Sequence, residues 1–192
     1  AASPMQILGH RIVWSVLLLV LIIAWRKEWN IMRQILRSKR TLLVLFIAAL
    51  LLGVNWLTYI WAVNSGHVVE SSLGYFINPL VSVLLGVIIL HERLRPLQWI
   101  PVGLAALGVA YLTWRFGSLP WIALVLAFTF GLYGLIKKTA AVEALYGLLV
   151  ETAILGIPAL GYLLFVEFQG TGAFGHGGLV LTLLLSLAGL VT

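Results

Sequence analysis

Cysteine is absent from this 192-residue chain, which excludes disulfides, thiolate nucleophiles, zinc–cysteine centres and iron–sulfur clusters. Charge is nearly as scarce. Only 9% of residues are Asp, Glu, Lys or Arg, whereas a soluble domain carries about a quarter. No P-loop and no nucleophile elbow occurs, so this stretch encodes no ATP-driven engine. No signal peptide is visible. His91 and Glu92 begin an H-E-x-x sequence, but Arg95 stands where a zinc motif needs its second histidine. Gly170, Gly172 and Gly175 satisfy a G-x-G-x-x-G spacing without a preceding strand, so they read as a loop. No catalytic, cofactor-binding or metal-ligating residue is assigned.

What the chain has instead is apolar length. It is 62% hydrophobic with a mean hydropathy of +1.10. The expected fold is an all-α, polytopic transmembrane helix bundle. Seven stretches approach the roughly 20 apolar residues that a bilayer requires. They run at about 5–25, 42–63, 69–90, 97–114, 119–136, 143–166 and 179–192. The last has only fourteen residues before the chain stops, and the first lacks an initiator Met, so the chain reads as a fragment.

The +6 net charge points to orientation rather than to nucleic acid, because the basic residues fall between the apolar stretches. Arg26, Lys27, Arg33, Arg37, Lys39 and Arg40 cluster in the 26–40 connection against the lone Glu28. Arg93 and Arg95 lie in the 91–96 connection, and Lys137 and Lys138 follow the fifth stretch. These three connections fall on alternate turns of the serpentine and hold ten of the twelve basic residues. They are expected to be cytoplasmic. Arg115, the turn at 64–67 and the Gly-rich 167–178 loop belong to the other side.

One stretch stands apart from the rest. From Glu70 to Glu92 the chain is apolar enough to span, yet Ser71, Tyr75, Asn78 and Ser82 recur at helical spacing and share a face. In hydrocarbon such groups require partners, so the face is expected to look into protein or water. Pro79 gives no N–H to the carbonyl of Tyr75, which frees a polar oxygen beside the same stripe. A wet face and a broken hydrogen bond together suggest the wall of a solute pathway, with Pro79 as a hinge.

Other candidates invite a functional and a structural reading each. An ionisable group at mid-membrane costs about 2.5–3.5 kcal/mol on insertion scales. Arg11 is the deepest basic one, and snorkelling to the interface is its alternative. Glu151 is too short to snorkel far; it could pair with Arg11, carry a proton or meet a cationic solute. Glu70 opens its helix, where the dipole alone favours a carboxylate. Asn55 is an interhelical hydrogen-bond donor or a pathway group, and Trp56 a packing residue or a stacking surface. Trp61 fits an interfacial aromatic belt. Ala127, Gly131 and Gly134 share a face suited to close helix packing. Tyr133 beside them is a further candidate for the cavity.

A faint internal echo is present. Laying 1–25 over 141–165 sets Arg11 against Glu151, and laying 42–63 over the region from 178 sets Gly53 opposite Gly189. The repeat then holds five helices, an odd number, so its two copies must be inverted. The division falls at 1–118 and 119–192, with the first copy lacking its opening helix and the second its last three.

The runs HRIVWS at 10–15, GVNWLTYIWAVN at 53–64, ESSLGYFINPLVSVLLG at 70–86, HER at 91–93 and FGSLP at 116–120 closely resemble the RarD branch of the EamA-type transporters. These belong to the drug/metabolite transporter superfamily. FGLYGLIKK at 130–138 and AVEALYGLLVET at 141–152 fit the same branch. The resemblance covers essentially the whole chain. It implies a ten-helix protein of the bacterial inner membrane, with inverted five-helix repeats and both termini cytoplasmic. This chain would supply helices two to most of eight, and by itself is expected not to transport. The branch is named for chloramphenicol sensitivity or resistance, and its members are permeases without ATPase domains. His10, Arg11, Asn55, Trp56, Glu70, Tyr75, Asn78, Glu92 and Glu151 fall within its recurring patches.

The expected function is secondary transport of a small organic solute or drug, not catalysis. Arg11, Asn55, Trp56, Glu70, Ser71, Tyr75, Asn78, Ser82, Tyr133 and Glu151 are the pathway candidates. Its partners are the lipid bilayer, the solute and, through Glu151 or Glu70, a proton as coupling ion; a homodimer is one assembly such a bundle could take. A non-transporting scaffold would use the polar stripe only to hold helices together. An intramembrane enzyme on lipid-like substrates would need carboxylates clustered at one depth, and these are spread over both halves.

Overall fold

A computed structural model describes residues 2–117, 120–140, 142–176 and 178–191. Among the described residues all regular structure is helical. The elements are α1 (Pro4–Arg26), α2 (Trp29–Arg37), α3 (Lys39–Asn64), α4 (Val68–Ile89), α5 (Trp99–Phe116), α6 (Trp121–Thr139), α7 (Ala144–Phe168) and α8 (Leu179–Leu187). Short 3-10 turns precede α5 at Pro96–Gln98 and follow α8 at Ala188–Val191. Among the described residues, six helices are long and apolar enough to cross a membrane. The seventh expected stretch forms only a shorter apolar helix, Leu179–Leu190. One element departs from the sequence reading: α2 makes a helix of what reads as a basic loop. The boundary expected between 118 and 119 lies outside the described residues.

The chain divides into two compact units, Ala1–Gly53 with Ala140–Thr192, and Val54–Thr139. In the first, α1 begins on a capping box. Ser3 Oγ accepts the Gln6 N–H while Gln6 Oε1 accepts the Ser3 N–H, and Pro4 takes the first helical position, where no donor is needed. α1 runs antiparallel to α7: Gly9 receives Leu163 near one end, Gly156 meets Val16 midway, and Leu19 and Ile23 cluster with Tyr146, Leu149 and Val150 at the other. Lipid offers helices no hydrophobic drive to associate, so close approach at small residues carries much of this packing.

In the second unit α4 lies parallel to α6. Leu73, Ile77 and Val81 pack on Ala123 and Ala127, Gly74 admits Leu126, and Gly131 admits Val81. Gly134 differs from the expected packing role: a Cβ there would meet nothing within 4 Å. α4 simply does not cover that turn. At one end of the unit Trp61 stacks on His67 and tilts against Trp121. At the other, Glu92 and Lys138 form an ion pair.

Candidate functional site

The helix α4 presents its small and aliphatic residues to α6 and carries the polar stripe along the flank of that contact. Ser71 is buried, its hydroxyl donating to Val68 O at 2.9 Å. Tyr75 is 63% exposed and meets Tyr59 of α3 edge-on, with 6.0 Å between ring centroids. Asn78 is half-buried and Ser82 exposed. Ser82 Oγ donates to Asn78 Oδ1 at 3.4 Å, a long contact. Among the described residues, no acceptor meets the Asn78 Nδ2 group. Pro79 sits within the helix beside it, and α4 continues past it to Ile89.

Asn55 behaves differently. Its Nδ2 donates to Leu126 O and to Thr129 Oγ1, each at 2.9 Å, and Thr129 Oγ1 donates onward to Val125 O. Its donors tie α3 to α6. Trp56 is half-buried one residue on. Glu70 lies in the first turn of α4, where its Oε1 is 3.0 Å from His67 Nδ1. Tyr133 tilts against Phe130, and Lys137 Nζ stands 5.8 Å from the centre of its ring.

The remaining two candidates belong to the first unit. Glu151 has no exposed surface at all (0%), and Arg11 is half-buried. Thr152, next to Glu151, is equally buried and returns its hydroxyl to Leu148 O at 2.7 Å. Among the described residues no group of three His, Asp or Glu side chains comes together as a metal site.

Three features escaped the sequence reading. Tyr146 OH donates to Glu28 Oε2 at 2.7 Å, and Arg26 lies 3.8 Å from the same oxygen. The pair joins residues 118 apart, which no local pattern announces. α7 contains Pro158, a second internal proline that was visible in the sequence. Last, a cavity of about 440 Å³ lies between α1, α7 and the loop after it, with His10 stacked on Phe174 at 5.0 Å. Gln6, His10, Trp14 and Glu167 line it among leucines.

The EamA-like transporter family model matches residues 1–114. The Protein RarD of Streptomyces exfoliatus is 49% identical over 191 residues, covering 100% of this chain and 61% of the relative. The Protein RarD of Salmonella typhi is 48% identical over 187 residues, 97% of this chain and 64% of the relative. An uncharacterized transporter of Pseudomonas aeruginosa is 53% identical over 163 residues, 83% of this chain and 54% of its own. The chain thus spans less than two thirds of the length of these relatives. No solved structure matches it. The chain belongs to the EamA-like transporter family and to its RarD branch.

Proposed function

We propose that this chain is the larger part of a secondary transporter that carries a small organic solute across the bacterial inner membrane, with α4 lining the pathway. The carrying observation is Asn78. An amide with an unused Nδ2 group, on a helix of spanning length, needs an acceptor that the described protein does not supply. Water or a polar solute provides one; lipid tails do not. Tyr75 beside it adds an exposed aromatic face against which a planar solute could stack.

The inverted repeats, divided at 1–118 and 119–192, supply the two halves that rock against each other. Support comes from the first unit. The overlay that pairs 16 with 156 also pairs 15 with 155, and Val16 and Gly156 touch. Gly53 approaches Leu155, with a Cβ there 3.0 Å from Leu155 Cδ2. Its counterpart Gly189 approaches Ser15, the counterpart of Leu155, with a Cβ there 2.7 Å from the Ser15 nitrogen. These two glycine approaches, one to Leu155 and one to Trp14 and Ser15, support the inverted reading. The family match ending at residue 114 fits the same division.

Glu151, buried in α7, is the proposed proton carrier, and Arg11 a charge of the same unit that balances the site. The test is uptake by the full-length protein in proteoliposomes, over a panel of small organic and drug-like solutes including chloramphenicol, with and without a proton gradient. Asn78→Leu should lose transport while inserting normally. Glu151→Gln should lose uphill accumulation and keep solute exchange; unchanged accumulation would remove Glu151 from the coupling role. Loss of assembly rather than uptake in Asn78→Leu would point to a scaffold.

A further inference from the structure

The helix α2 joins the end of α1 at Arg26 to the start of α3 at Lys39, so it lies at the level where two spanning helices leave the membrane. It is too short to cross, at nine residues. Its apolar residues are Trp29, Ile31, Met32, Ile35 and Leu36, and its polar ones Asn30, Arg33, Gln34 and Arg37, which divides the helix cleanly into two faces. Met32 is buried and Ile35 half-buried against Ile23, Leu45 and Tyr146, which holds the helix to its unit by the middle of the apolar face. The edge of that face is left over. Trp29 is 42% exposed and Leu36 is 52% exposed, and Arg33 and Arg37 follow them around the helix at i+4 and i+8 from Trp29. The start of the helix is fixed by Glu28, which Tyr146 and Arg26 both engage.

Charge completes the pattern. The 26–40 segment has six basic residues and one carboxylate, and that carboxylate is already engaged. Among the described residues, Lys27, Arg33, Arg37, Lys39 and Arg40 have no carboxylate partner, and all are exposed. A strip with an indole and a leucine beside two guanidinium groups matches the boundary of a leaflet. An apolar pair of this kind suits the acyl region, and guanidinium groups suit a phosphate.

We propose that α2 is an interfacial docking helix for acidic phospholipids, which seats the headgroup phosphate on Arg33 and Arg37 and the upper acyl chain on Trp29 and Leu36. This site is independent of the solute pathway. It ties the first unit to the leaflet that holds the basic connections, and makes the protein's lipid shell selective there.

The test uses the full-length protein, delipidated in detergent and offered equal amounts of phosphatidylglycerol and phosphatidylcholine, with retained lipids counted by native mass spectrometry. Wild type should retain phosphatidylglycerol preferentially. Arg33→Gln with Arg37→Gln should reduce that preference by about fivefold for each arginine removed, and Arg33→Lys with Arg37→Lys should preserve most of it. Trp29→Ala with Leu36→Ala should weaken both lipids alike and leave the ratio unchanged. Inorganic phosphate at millimolar concentration should not displace the lipid, because it lacks the acyl half of the contact. Equal retention of the two lipids by wild type, a preference untouched in the double glutamine variant, or full displacement by phosphate would each overturn the assignment.

Discussion

Asn55 and Asn78 carry the same amide, yet among the described residues only Asn55 has both Nδ2 hydrogens taken up, by Leu126 O and Thr129 Oγ1. An interhelical hydrogen bond in a membrane is worth about 0.6–2 kcal/mol. Asn55→Ala should therefore lower the unfolding free energy by about 1–2 kcal/mol, read from denaturant unfolding of the full-length protein in micelles. Asn78→Ala should leave the unfolding midpoint in place and reduce solute flux. If both variants unfold alike, the two amides share one role and the pathway assignment of Asn78 fails. Sequence alone could not separate them. Both sit in spanning helices near aromatic residues, and what distinguishes them is the acceptor that α6 brings to one and not to the other. Glu70 is similar: its place in the first turn of α4 was legible, but its pairing with His67 depended on the turn between α3 and α4.

At the scale of elements, the spanning helices were legible because hydrocarbon leaves a chain few choices, and observed ends fall within about three residues of those expected from apolar length. α2 was not, since a nine-residue helix within a connection of six basic residues has too little apolar length to register as one. The small-residue face of α6 was legible in part. Ala127, Gly131 and Gly134 do share a face, but α4 covers only the first two. That difference is measurable with one substitution made twice. Gly→Ala in a helix gains up to about 1 kcal/mol from propensity where space allows. Gly134→Ala should thus be neutral or stabilising. At Gly131 the added Cβ would stand 2.8 Å from Val81 Cγ1, and Leu85 behind it at 3.3 Å leaves little room to yield. Overpacking of that kind costs about 1–3 kcal/mol, so Gly131→Ala should be the less stable of the two by at least about 1 kcal/mol in the same unfolding assay. Equal stabilities would mean that α4 and α6 do not approach as closely as described.

For the whole molecule, the distribution of basic residues makes a claim about sidedness, and each unit carries a contact that agrees with it. In the first, Tyr146 at the start of α7 reaches Glu28 in the 26–40 connection. In the second, Lys138 in the last turn of α6 reaches Glu92 in the 91–96 connection. In each unit the contact joins two connections that alternating spans would put on one side, and an odd number of skipped spans between its two residues would prevent it. The absence of cysteine in this stretch, which rules out so much chemistry, makes the claim easy to test. On a cysteine-free full-length background, Gln34→Cys in α2 and Gln98→Cys before α5 introduce exposed thiols at the basic end. Ser65→Cys and Gln169→Cys introduce exposed thiols at the opposite one. A membrane-impermeant maleimide added to spheroplasts should label positions 65 and 169 at once, and positions 34 and 98 only after lysis. Labelling of 34 or 98 in intact spheroplasts would reverse the orientation, and would place the α2 strip in the outer leaflet. Labelling of only one member of a pair would break the alternation itself, and with it the inverted repeats proposed above.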